Sequence, residues 1–120
     1  AVGRTMTVRL FSVKWTATAR NDLKSIIRHI AVDNLLEARR VLDRLKHKAE
    51  SLSAFPERGR VTPELDAVGV YSHREVICNP WRLMYRIESN KVFVVAVLDS
   101  RRQLQDLLLR RLTNPPENSL

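Results

Sequence analysis

Four arginines stand where an extended hairpin would display them. From Trp81 to Ile87 the chain alternates, so that Leu83, Tyr85 and Ile87 fall on one side of a strand and Arg82, Met84 and Arg86 on the other. Ser89-Asn90 then offers a two-residue turn, with Asn90 tolerant of the left-handed conformation, and Val92 to Leu98 is a continuous apolar run of strand length. That run leads straight into Arg101 and Arg102. Guanidinium groups carry a planar fork of donors matched to phosphate and carboxylate, so the chemistry within reach of such a hairpin is the recognition of an anion. The plainer alternative is a charged strand face that discourages aggregation.

The remaining polar residues offer less. Glu64 lies in a loop close in sequence to Arg58 and Arg60, where a carboxylate commonly serves as an ion-pair partner. His29, His47 and His73 are spaced without metal-ligand logic, no carboxylate or cysteine cluster accompanies them, and no cofactor motif is present. Cys78, the only cysteine, sits in an apolar strand-like run and reads as a small core residue. Gly59 reads as a turn residue. Tyr85 shares the apolar parity of its strand and reads as core; Trp81 shares it too, although an indole at a sheet rim could stack on a base.

The elements that must hold these groups follow from periodicity. Phe11, Val13 and Trp15 alternate as a first short strand, and Thr16 or Thr18 supplies a hydroxyl to start a helix. Ala19, Leu23, Ile26, Ile27 and Ile30 form one helical stripe; after a break at Asp33-Asn34, a second stripe runs through Leu35, Ala38, Val41, Leu42, Leu45, Ala49 and Leu52. Residues 53–65 lose all periodicity and are punctuated by Pro56, Gly59 and Pro63, which reads as a loop. Val70 to Cys78 is extended again, Asn79-Pro80 ends it, and Gln103 to Leu112 has helical composition. The order predicts an α+β sandwich: a small twisted sheet of about four strands, antiparallel over its last three, with a helical hairpin on one face and a C-terminal helix. Its other face is expected to be open, and function is expected there.

Bulk properties agree with one folded domain. The chain of 120 residues is 44% hydrophobic with three glycines, too short for two cores and too apolar for a disordered segment. A net charge of +8 raises the prior for a polyanionic or acidic partner, against the alternative of charge kept for solubility. The absence of any eighteen-residue apolar run argues against a membrane span, and a cytoplasmic location is expected. Residues 1–7 are expected to be disordered or tag-like, 8–112 to form the domain, and 113–120 to be a flexible tail.

In order and spacing, the chain resembles the RelE/ParE superfamily of toxins from type II toxin–antitoxin pairs, often labelled plasmid-stabilisation proteins. The resemblance rests on the strand ending in Trp15, on Ala19-x-x-Asp22-Leu23, on Phe55-Pro56-x-x-Gly59-Arg60 with Pro63-Glu64-Leu65, on Arg74-Glu75, on Trp81-Arg82-Leu83-x-Tyr85-Arg86 and on Val97-x-x-x-Arg101-Arg102. It implies a small basic toxin held harmless by a cognate antitoxin, whose C-terminal segment wraps the toxin and whose N-terminal part often binds operator DNA. The antitoxin is expected to lay an acidic or amphipathic helix across the helical hairpin and an extended segment along the sheet.

Two activities occur in the superfamily. RelE-like members are ribosome-dependent mRNA endoribonucleases; by that resemblance Arg82 would sit beside the scissile phosphate, Arg101 or Arg102 would supply a second positive charge, and Glu64 would act as base. ParE-like members poison DNA gyrase and need no catalytic group. His73 and Glu75 stand where a nuclease has paired lysines, and no Tyr or His follows Leu98, where nucleases usually carry one. The ParE-like mode is therefore favoured, with the endoribonuclease as the alternative and a non-toxic basic nucleic-acid-binding module as a third reading. Target contacts are expected from Arg60, His73, Arg74, Trp81 and Arg86.

Overall fold

The computed structural model describes residues 10–100. The predicted helix at 103–112, Arg101, Arg102 and the two expected tails lie outside them. The elements run β1 (Ser12–Trp15), α1 (Ala17–Asp33), α2 (Leu35–Glu50), a 3-10 turn at Ser51–Ser53, β2 (Arg60–Val61), α3 (Pro63–Asp66), β3 (Arg74–Cys78), β4 (Trp81–Glu88) and β5 (Lys91–Asp99). The sheet has five strands in the order β1-β5-β4-β3-β2, parallel only between β1 and β5. The predicted α+β class is therefore observed. The extra strand is β2, two residues long, and with α3 it occupies the stretch whose lost periodicity reads as loop.

Local chemistry accounts for the helical hairpin. Thr16 is the cap of α1: its hydroxyl oxygen accepts from the Ala19 N–H at 3.2 Å and donates to the Val94 carbonyl at 3.3 Å, which fastens the helix start to β5. Asn34, read only as a break, caps α2 by accepting from the Glu37 N–H at 2.9 Å while its own N–H closes α1 on Ile30. The stripe on α2 begins at Ala38, because Leu35 and Leu36 are exposed in the first turn. Ala19, Leu23, Val41, Leu45, Ala49 and Leu52 pack on Leu83, Tyr85, Val92 and Val94 to form the main core. Each fully buried leucine or valine among them contributes about 1.5–3 kcal/mol, which far exceeds helix propensity as the reason the pair is ordered.

β5 is an interior strand between β1 and β4, as its unbroken apolar run requires, and a bulge adjusts its register. Met84 pairs with Ala96 but Tyr85 with Val94, leaving Val95 as the additional residue. At the hairpin the left-handed residue is Ser89, at φ 54°, and not Asn90. Beyond Trp15 the edge of β5 is no longer covered by β1; there Asp22 of α1 accepts from the Val97 N–H at 2.9 Å. This gives the Asp22 of the helical signature a structural task.

The second face of the sheet is not open at its far end. Leu65 of α3 is buried against Met84, Ala96 and Leu98, with Val70 and Val95 beside them, making a second small core. The chain enters α3 through Thr62, whose N–H donates to the His73 carbonyl and whose carbonyl accepts from Leu65 and Asp66. The Thr62 side chain is fully buried, and its hydroxyl has no hydrogen-bond partner among the described residues. Thr62→Val keeps the shape and removes that desolvated hydroxyl, so it is expected to raise stability by about 1 kcal/mol. Urea unfolding of the two proteins checks this; a lower midpoint for the valine variant would show that the hydroxyl is satisfied.

Candidate functional site

Alternation along β4 carries Arg82 and Met84 to the face opposite the helical hairpin, while Leu83 and Tyr85 enter the main core. Across the sheet Arg82 is flanked by Ile77 of β3 and Leu98 of β5. Two residues before Ile77, on the same face, stands Glu75. The short α3, held by Leu65, brings Glu64 over the same spot. Arg82 donates to both Glu64 oxygens at 2.9 and 2.6 Å, and its Nε donates to Glu75 Oε1 at 3.0 Å. The second Glu75 oxygen accepts from Arg60 at 2.8 Å. The result is a chain of alternating charges, Glu64, Arg82, Glu75, Arg60, closed at its inner end.

Burial makes this network different from a surface ion pair. Glu75 is 2% exposed and Arg82 is 8% exposed, so each needs the other to remain ionised out of water. The expectation that Arg82 projects from an uncovered face is overturned: α3 lies over that end of the sheet and supplies the carboxylate that neutralises the guanidinium. The hydrogen bonds to Glu64 raise the Arg82 pKa still further, against desolvation. The bonds from Arg82, opposed by partial burial, hold the Glu64 carboxyl below its ordinary value.

The shifts set a pH dependence. A carboxyl whose pKa is lower in the folded chain contributes stability that is complete above its unfolded value and is lost as pH falls through the folded one. Burial, then the neighbouring Arg86, lower the pKa of His73 as well; its folded state favours the neutral ring, so that contribution fades as pH falls below the usual histidine value. Stability is therefore expected to fall in two acid stages, first with His73 and then, below the usual carboxylate value, with Glu64. Glu64→Gln should weaken the second stage and leave the first, read as unfolding midpoint against pH. An unchanged acid limb would show that the Glu64 pairing contributes nothing.

The other expected contact residues are dispersed. Arg74 faces the opposite way, beside Tyr85, and donates to the Gly59 carbonyl at 2.7 Å. Tyr85 is fully buried; its hydroxyl accepts from the Gly59 N–H at 3.0 Å and donates to the Pro56 carbonyl at 2.6 Å, pinning the loop that carries Arg58 and Arg60. Trp81 packs against the main core. Arg86 lies 4.7 Å from the centre of the Phe93 ring and 3.5 Å from Glu88. His73 makes a 3.0 Å contact with the Ser72 hydroxyl. Thus Arg82, Glu64 and Arg60 are brought together, joined by Glu75, whose part in the site the sequence reading did not assign. The signal was a carboxylate beside the apolar run Val76 to Cys78, diagonal to Arg82 across the tight Asn79-Pro80 turn.

A separate groove of about 900 Å³ opens between β1, α1 and α2. Val13, Trp15, Leu23, Ile27 and Leu42 line it, and Lys14, Arg20, Lys24, Arg28, Lys46 and Lys91 surround them without any acidic residue. Among the described residues no cluster of three or more His, Cys, Asp or Glu side chains could hold a metal, and no helix is long and apolar enough to cross a membrane.

Comparison with known proteins decides the family. The sequence model of the ParE toxin of the type II toxin–antitoxin system parDE matches residues 13–104. The chain is a type II toxin of the ParE/RelE superfamily. Toxin RelE2 of Caulobacter vibrioides is 33% identical over 91 residues, covering 75% of this toxin and 96% of that protein. Toxin ParE3 of the same organism is 29% identical over 90 residues, covering 74% and 86%. Among solved structures, the chromosomal ParDE system of P. aeruginosa has a TM-score of 0.63 at 19% identity, covering 76% of the toxin and 97% of that chain. The RelBE2 toxin–antitoxin complex of Mycobacterium tuberculosis has a TM-score of 0.58 at 23% identity, covering 78% and 94%. Relatives of both names thus share the toxin's fold, and the likeness does not separate the branches.

Proposed function

We propose that this toxin arrests growth in the ParE manner, by binding and poisoning DNA gyrase in the cytoplasm without catalysing a reaction itself. The observation that carries this reading is the pairing of Arg82 with Glu64 and Glu75. Stabilising a cleaved phosphodiester requires donors aimed at the developing charge, and here the guanidinium is already satisfied by two carboxylates. Glu64, whose pKa is lowered by the same contact, is a weak base near neutral pH. Arg101 and Arg102, the other catalytic candidates, lie outside the described residues.

A cognate antitoxin is the expected partner. An acidic amphipathic helix matches the groove between β1, α1 and α2, its apolar side on Trp15, Leu23 and Ile27 and its carboxylates on the surrounding lysines and arginines. Operator DNA would then be reached through the antitoxin. Purified toxin added to gyrase and relaxed plasmid should suppress supercoiling, and equimolar antitoxin should restore it. A-site mRNA cuts in cells expressing the toxin, with plasmid supercoiling unchanged, would overturn the gyrase reading in favour of the endoribonuclease.

A further inference from the structure

A second concave site lies beside α2 where β3 runs past its pairing with β2, away from the apolar groove. Arg44, His47 and Lys48 stand three and four residues apart on α2 and so share one side of the helix. They face Ile77, Cys78 and Asn79 across a slot of about 530 Å³, which Ser51 and Arg58 close from a third side. Every charged residue lining it is basic.

The pairing of charges on α2 marks this slot out. On the helix's exposed surface Arg39 pairs with Asp43 at 3.5 Å and Arg40 with Glu37 at 3.7 Å. By contrast, Arg44, Lys48 and Arg58 make no ion pair among the described residues. Arg44 donates to the Asn79 carbonyl at 3.1 Å, and Arg58 donates to the Ser51 hydroxyl at 3.0 Å, both neutral acceptors. Three full positive charges and an imidazole therefore converge on a concave surface that no counter-charge lines among the described residues. Such a cleft focuses potential and concentrates anions.

We propose that this slot binds the phosphodiester backbone of nucleic acid. A phosphodiester's two non-bridging oxygens diverge from a tetrahedral phosphorus, so they can accept from donors on different walls, from α2 and from Arg58. An acidic peptide added to the sheet edge fits less well, because Arg44 already occupies the Asn79 carbonyl and lies 3.9 Å from Cys78 Sγ, across the end of β3. No aromatic residue lines the slot, so the contact has nothing to stack on a base and is independent of sequence. The gyrase assignment is not needed for this proposal, and binding is measured apart from toxicity.

The test is fluorescence anisotropy of a random-sequence 20-base-pair DNA duplex with the whole toxin, titrated at several salt concentrations. Three phosphate contacts predict a slope of log affinity against log salt of roughly −2.7. Lys48→Gln with Arg58→Gln should flatten that slope by about two and weaken binding at low salt. Lys24→Gln with Arg28→Gln removes the same charge from the apolar groove and should leave the slope unchanged. Unfolding midpoints of both double variants verify folding, and Lys48→Gln with His47→Gln serves as a second pair that leaves the Arg58 contact to Ser51 in place. Failure of the wild-type toxin to bind the duplex, or equal losses from the slot and groove variants, would overturn the proposal. So would a glutamate-rich peptide that binds more tightly than the duplex at the same salt and depends on Lys48 and Arg58.

Discussion

Glu75→Leu is expected to destabilise the toxin by about 3–5 kcal/mol, the loss typical of removing one partner from a buried charge pair. The side chain is 2% exposed and accepts from Arg82 and Arg60 together. Arg60 is largely exposed and can return to water, but Arg82 is 8% exposed and would keep only Glu64. The cost falls on the guanidinium left behind. Arg82→Met combined with Glu75→Leu should therefore recover most of the loss, since an apolar pair of similar volume on the Met84, Ala96 and Leu98 face has no charge to desolvate. Urea unfolding of the two single variants and the double gives the coupling. Additive losses would show that Arg82 and Glu75 do not depend on one another. A practical consequence concerns toxicity assays: Arg82→Glu would gather three carboxylates at one buried point, so its loss of toxicity would report unfolding before it reported a contact.

Gly59→Ala is expected to cost about 3 kcal/mol by a different route, through lack of space. A Cβ at Gly59 would lie 2.5 Å from the Glu75 carbonyl oxygen and 2.6 Å from the Tyr85 hydroxyl. The carbonyl belongs to a strand held on both sides, so the loop must retreat, giving up the Gly59 N–H bond to Tyr85 and the Arg74 bond to the Gly59 carbonyl. Overpacking of this kind costs about 1–3 kcal/mol and each lost hydrogen bond adds about 1. Tyr85→Phe removes only one of the two clashes and should not rescue the alanine. Gly69→Ala is the control: it has φ +83° and no neighbour within 4 Å of the added carbon, so its cost is backbone strain alone, about 1–2 kcal/mol. A Gly59 variant no less stable than the Gly69 variant in urea would refute the close-packing account.

Much of the architecture was legible because its signals are short-range. The stripes ending at Ile30 and Leu52, the apolar run of β5 and the alternation of β4 report which residues meet the core, and they do so from Ala38 onward on α2 and for Leu83 and Tyr85 on β4, although Leu35 is exposed and the Arg82 side of β4 is buried as well. The missed elements lack such a signal. β2 has two residues and α3 four, too few for any period to show, and their place is fixed by pairing with β3 and by the burial of Leu65. The candidate site suffered from this directly: with residues 53–65 read as loop, nothing placed Glu64 over Arg82.

By itself the sequence determined the α+β class, the helical hairpin, the interior position of β5, the cationic character of the surface and the resemblance that the family match later supported. These depend on periodicity, turn chemistry and composition, which are carried within a few residues. Only the tertiary structure decided that Arg82 is buried and neutralised, that Glu75 joins it to Arg60, and that basic side chains gather at two other places, the groove beside α1 and the slot beside β3. The state of a charged side chain is set by what stands within a few ångströms of it. For Arg82 those neighbours come from 7 and 18 residues away, and the path of the chain in between decides whether they arrive.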